Sequence, residues 1–142
     1  MNRTDIVTAA RTWIGTPYMH QARHKGVGVD CIGLVIGVAR ELQMVPAGFD
    51  VNGYSRVPDR VSLMRHAHLH MTLVSIDTMQ EGDVVVVSFD RDPQHFGILA
   101  TYRPGVLSII HAASHHGKVV EHRLMFSRSM SFVAAFKLPG VV

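Results

Sequence analysis

The periodicity of this chain changes near residue 72, and no other feature limits the fold so tightly. Before that point apolar side chains recur at helical spacing. Beyond it they come in short apolar runs cut by turn residues. Thr4 can cap a first helix whose apolar residues are Ile6, Val7, Ala10, Trp13 and Ile14, with Gly15 ending it and Thr16-Pro17 opening a loop. A second helix is predicted from about Cys31 to Val45, stopped by Pro46, and a third from about Val61 to Leu69. Residues 46 to 60 read as a surface loop. Strands are predicted over Leu73–Ile76, Val84–Phe89, Phe96–Tyr102, Leu107–His111, Lys118–Arg123 and Ser131–Leu138. Gly82-Asp83, Asp92-Pro93, Pro104-Gly105 and His116-Gly117 punctuate them as turns. Helices first and an antiparallel meander after them make an α+β arrangement. With no repeat, linker or low-complexity segment, residues 1–142 read as one domain.

Composition excludes several classes. An apolar fraction of 47% with only 18% charged residues is not that of a disordered chain. One cysteine rules out an intrachain disulfide, so packing alone must hold the fold. Asp5 and Arg11 interrupt any signal-peptide core, and the longest aliphatic run, Val84 to Val87, is far short of the about 20 residues that span a bilayer. A soluble protein without its own secretion signal, made in the cytoplasm, is expected. The net charge of +3 could favour anionic partners such as nucleic acid or an acidic wall polymer. The charges are scattered, however, and the one compact basic cluster, Arg23-His24-Lys25, has no aromatic residues interleaved, so nucleic-acid binding is not expected.

The lone cysteine, Cys31, stands at the predicted start of the second helix. The helix dipole there favours negative charge, and thiols in such positions can have pKa values of about 3.5–7.5. A thiolate nucleophile needs a base and a group to orient that base. The strand pattern offers both. His95 and His111 are equidistant from residue 103, at the predicted hairpin turn Arg103-Pro104-Gly105, so an antiparallel pairing sets them opposite or diagonal. They share sequence parity and so tend to share a face. His115 and His116 lie close to His111 and compete with it for the orienting role.

Five segments, in this order, are Trp13-Ile14-Gly15-Thr16-Pro17-Tyr18, Val29-Asp30-Cys31-Ile32-Gly33-Leu34-Val35, Gly82-Asp83-Val84-Val85, His95-Phe96-Gly97-Ile98 and Ile109-Ile110-His111-Ala112. Together they resemble the NlpC-type family of papain-like cell-wall cysteine peptidases, and in particular the short branch found in phage-tail and gene-transfer-agent clusters. The resemblance implies a papain-like α+β domain with its nucleophile at a helix N-terminus, and a hydrolase of peptidoglycan stem peptides acting between γ-D-glutamate and the diamino acid. It implies that Cys31 attacks the carbonyl, that His95 takes and returns the proton, and that His111 orients His95. It also implies that Tyr18, with the Cys31 backbone N–H, stabilises the oxyanion, and that Asp30 lies by the cleft, where it could meet a cationic amine. Asp30 read from the residues alone is a helix N-cap, and the two roles can coexist. No metal or organic cofactor is implied.

Two departures stand out. Many members of that family carry Ser or Ala after the nucleophile, where this chain has Ile32, which leaves the bond preference open. No separate wall-binding domain accompanies the peptidase-like segment, so delivery by another body, such as a virion tail with its tail proteins, is expected. Two other readings compete: a papain-like amidase or acyltransferase on another substrate, and a catalytically silent tail-assembly component. His66, His68 and His70 would share a face on a strand and could then bind a metal; the preceding Val61, Leu63, Met64 and Arg65 favour a surface helix instead.

Overall fold

A computed structural model of the 142-residue chain describes residues 1–51, 62–89 and 92–142. Helix α1 (Arg3–Arg11) leads to two two-residue strands, β1 (Arg23–His24) and β2 (Gly28–Val29), which pair with each other. Helices α2 (Cys31–Glu41) and α3 (Ser62–His70) follow. Then come β3 (Thr72–Val74), β4 (Val84–Phe89), β5 (Asp92–Arg103), β6 (Val106–Ala113), β7 (Lys118–Arg123) and β8 (Met130–Lys137). The last six form one antiparallel sheet in the order β3-β8-β4-β5-β6-β7. The expected α+β class is the observed one, and Cys31 opens α2 as the sequence predicts. No helix among the described residues is long and apolar enough to cross a membrane.

The helix starts differ in detail from the sequence reading. Asn2, not Thr4, caps α1: its side chain accepts the Asp5 N–H at 2.8 Å while Asp5 accepts the Asn2 N–H, a complete capping box. Helix α2 ends four residues before the predicted Val45, because Gln43 turns into the left-handed region at φ 55°. Strands β1 and β2 were not legible, being too short to show a period. Most of the predicted 46–60 loop and the first residue of the predicted third helix lie outside the described residues; from Ser62 onward that helix is present.

Helix α2 is the centre of the molecule. All residues from Cys31 to Ala39 are buried, so this helix is apolar all round. One face of the sheet packs with it through Val84, Val86, Phe96, Ile98, Ala100, Ile110 and Ala112. The alternate residues, Val85, Val87, Leu99 and Ile109, make a smaller cluster with Met130 on the other face. Helix α1 is tied to β4 by a buried ion pair, Arg3 Nη1 to Asp83 Oδ1 at 2.6 Å, while Asp83 Oδ2 accepts the Gln80 N–H. The Gly82-Asp83 segment is the expected turn and also joins the helix layer to the sheet.

Candidate active site

Asp30 sets the start of α2. Its Oδ1 accepts the Gly33 N–H at 2.8 Å and an Arg23 guanidinium N–H at 3.0 Å; its Oδ2 accepts the Gln21 N–H at 2.7 Å. The carboxylate is 2% exposed and held by the chain's own donors, which makes it a cap and an anchor for the 20–23 loop. Gly33 is part of the same device. A Cβ there would lie 2.4 Å from the Ala22 carbonyl oxygen, so only glycine lets that loop close over the first turn. Arg23 also reaches Asp50 at 3.0 Å, and Lys25 pairs with Glu41 at 2.9 Å. Two of the three members of the basic cluster are thus neutralised within the chain.

Backbone bonds carry the Cys31 segment to one end of the sheet. Val29 donates to the Pro17 carbonyl and accepts from Met19; Tyr18 donates to the Gly117 carbonyl, and Pro17 bridges Lys118. Lys118 opens β7 opposite Ala113 of β6, so the segment that precedes Cys31 is fastened to β7 at the end of the sheet where β6 carries His111. Tyr18, half-buried, bridges Val29 two residues before the thiol.

His95 and His111 come together as the hairpin argument predicts. The register Ile98 to Ile110 sets Gly97 opposite His111 and His95 diagonal to it. The His95 Nε2 and His111 Nδ1 atoms are 2.7 Å apart, with the rings edge to face, and the side chains are 1% and 0% exposed. Gly97 makes this possible: a Cβ there would lie 2.6 Å from the Ile109 side chain and 3.2 Å from the His111 Cβ. Phe89 packs over His95 at 5.0 Å between ring centroids.

A third imidazole, which sequence reasoning missed, continues the row. His111 Nε2 lies 2.8 Å from His122 Nε2, and His122 Nδ1 lies 3.0 Å from the Arg123 carbonyl oxygen. A carbonyl only accepts, so Nδ1 of a neutral His122 carries its proton and Nε2 accepts. His111 Nε2 must then donate, its Nδ1 must accept, and His95 Nε2 must donate. One backbone carbonyl thereby fixes three tautomers and puts the lone pair of a neutral His95 on Nδ1. Burial, followed by the neighbouring imidazoles, pulls the His111 pKa down to about 2, so His111 remains neutral. The rivals His115 and His116 sit exposed on a short 3-10 turn, with the His116 ring 5.6 Å from that of His111. Of these three candidates, His111 is the one bonded to His95. The signal for His122 was its place on the predicted strand Lys118–Arg123; its register depends on the turn before it, which sequence does not set.

His66, His68 and His70 lie on helix α3, where His66 stacks with His70 while His68 packs against Phe136. They share no common face, as the helical reading requires.

No protein-family model matches the sequence, and no curated protein matches it either. Solved structures are similar in shape. The NlpC/p60 domain of peptidoglycan hydrolase SagA superposes with a TM-score of 0.63 at 22% identity, over 97% of this chain and all of that one. The fold is that of an NlpC/p60 domain. A Staphylococcus aureus protein of the NLP/P60 family, described as similar to a lipoprotein, gives 0.64 at 17% identity; the chain covers 41% of that protein's length. An N-acetylmuramoyl-L-alanine amidase from Bacteroides uniformis gives 0.60 at 12% identity over 96% of this chain and 98% of that one. At these identities the likeness establishes an NlpC/p60 fold.

Proposed function

We propose that this chain is a cysteine hydrolase of bacterial peptidoglycan, cutting stem peptides at the γ-D-glutamyl–diamino acid bond and delivered to the wall by a phage tail. The observation that carries the reading is the buried, tautomer-fixed His95–His111 pair at the end of the sheet to which the Cys31 segment is fastened. In this reading the thiol and the His95 imidazole meet at that end. Three of the solved structures of similar shape are named for peptidoglycan hydrolase, NLP/P60 or muramoyl-alanine amidase, which supports a wall substrate.

The chemistry follows from the arrangement. His95 Nδ1 takes the Cys31 proton, and the thiolate at the N-terminus of α2 attacks the peptide carbonyl. The oxyanion is held by the Cys31 backbone N–H and the Tyr18 hydroxyl. His95 then protonates the leaving amine, and water, deprotonated by the same imidazole, hydrolyses the thioester. Asp30 contributes by holding the first turn of α2. No metal takes part in these steps. Ile32 lines an apolar pocket with Val35, Phe49, Val51, Leu63 and Phe96, so the position after the nucleophile offers packing rather than a hydroxyl.

A second reading, cleavage of the muramoyl–L-alanine amide, is favoured by the Bacteroides amidase of like fold. The deciding experiment digests purified peptidoglycan with wild type and Cys31→Ala and reads the fragments by mass spectrometry. Stem-peptide fragments ending in γ-D-glutamate, from wild type alone, are the expected result. Free glycan strands with intact stem peptides would give the amidase reading. No release from several wall chemotypes, with an inert Cys31, would return the chain to a silent tail component.

A further inference from the structure

The imidazole row does not end inside the protein. His111, His116 and His122 each present a ring nitrogen within 4.8 Å of the other two. Their exposures are graded: His111 buried, His122 half-buried, His116 exposed on the 3-10 turn Ser114–His116. Nothing in the proposed hydrolysis uses His116 at all. Three imidazoles converging from two adjacent strands and the turn between them form a donor set suited to Zn, Cu or Ni.

We propose that His111, His116 and His122 form a divalent transition-metal site, with zinc as the ion, and that its occupancy switches off the His95 base. The metal site rests on the geometry alone; the switch rests on the proposed role of His95.

The outer shell is already in place. The Arg123 carbonyl accepts the His122 Nδ1–H, which leaves Nε2 as the ligating atom, and His95 Nε2 stands next to the second nitrogen of His111. Metal-bound histidines characteristically have such partners on their other nitrogen. The 2.8 Å between the two Nε2 atoms must open to about 3.3 Å, the ligand separation of a tetrahedral zinc with bonds of about 2.0 Å. His116, exposed, supplies the third ligand from the solvent side and leaves the fourth position to water.

The effect on His95 follows by moving protons only. In the metal-free row the protons sit on His95 Nε2, His111 Nε2 and His122 Nδ1. A metal on His111 Nε2 requires that nitrogen to be bare, so the His111 proton moves to Nδ1. His111 then donates to His95 Nε2, which must accept, and the His95 proton moves to its Nδ1. The rings hold three protons before and after; none is lost. The lone pair that was to take the thiol proton is gone, and a His95 imidazolium would set two N–H groups head-on. Zinc therefore favours the un-ionised, unreactive thiol.

The test uses tag-free protein and zinc chloride alone, by isothermal titration and by the rate of Cys31 alkylation with iodoacetamide. Wild type and Cys31→Ser should each bind one equivalent, and His116→Ala should weaken binding by about tenfold or more, the loss that even an outer-shell change produces at such sites. Saturating zinc should slow alkylation of wild type by about tenfold or more, equivalent to one unit of thiol pKa, and leave His116→Ala at its metal-free rate. No binding, or binding lost in Cys31→Ser and kept in His116→Ala, overturns the site. His116-dependent binding with unchanged alkylation overturns the switch. A protein that binds zinc as described but digests no wall overturns the hydrolase reading and leaves the metal site standing.

Discussion

Gly97 shows what the site demands of single residues. It lies between His95 and Leu99 on the face where the imidazoles meet, and any side chain there would enter the space of Ile109 and His111. Gly97→Ala should cost about 1–3 kcal/mol of stability, the usual penalty for overpacking. It should also slow Cys31 alkylation, because His111 must move off His95. Urea denaturation and the alkylation rate check this together; a variant of unchanged stability and reactivity would contradict the packing argument. The same residue shows how far the site was legible. The parity of 95 and 111 about the 103–105 turn was enough to bring the two histidines together, although the register makes them diagonal rather than opposite. His122 was not legible, because its position depends on the 114–117 turn. The cap role of Asp30, read from its place before Cys31, is seen in its bond from the Gly33 N–H, while the loop bonds from Gln21 and Arg23 were not legible.

At the level of elements, α1 is tied to the sheet by the buried Arg3–Asp83 pair and by the more exposed Arg11–Glu121 pair. Asp83 is completely buried and its partner Arg3 is largely so. Removing one member leaves an uncompensated charge in the interior, and Asp83→Ala should lose about 3–5 kcal/mol. A urea midpoint close to that of wild type would contradict the role given to this pair. The strands of the six-stranded sheet were legible because one face packs on helices and the other on a smaller cluster, giving sharp apolar runs between turns; Val84–Phe89 and Lys118–Arg123 were placed to the residue. Helix ends were less so. The Asn2–Asp5 box starts α1 two residues outside the Thr4 reading, and α2 ends where Gln43 goes left-handed, which no periodicity foretells.

The molecule as a whole should lose stability in acid from a higher pH than carboxylates alone would cause. The folded His111 pKa of about 2 lies below the ordinary histidine value of 6.5. The unfolded chain thus binds the extra proton first, and stability falls as pH drops below about 6.5, by about 1.4 kcal/mol per unit. Asp50 and Glu121 are held below the usual carboxylate range despite burial, Asp50 by the Val51 N–H and Arg23 and Glu121 by Arg11 and Ser108; they add to the loss only below about pH 4.5. Urea midpoints at pH 7.5 and 5.5 should differ accordingly. Equal midpoints would mean that His111 titrates normally and is not buried as described.

The central claim is that His95 activates Cys31, and the pH profile of Cys31 alkylation tests it most directly. At pH 6 an ordinary thiol is well under about 1% ionised. Wild type should still react readily there, while His95→Ala should react only as pH approaches the ordinary thiol range. Superimposable profiles for the two proteins would contradict the pairing and the hydrolytic mechanism built on it.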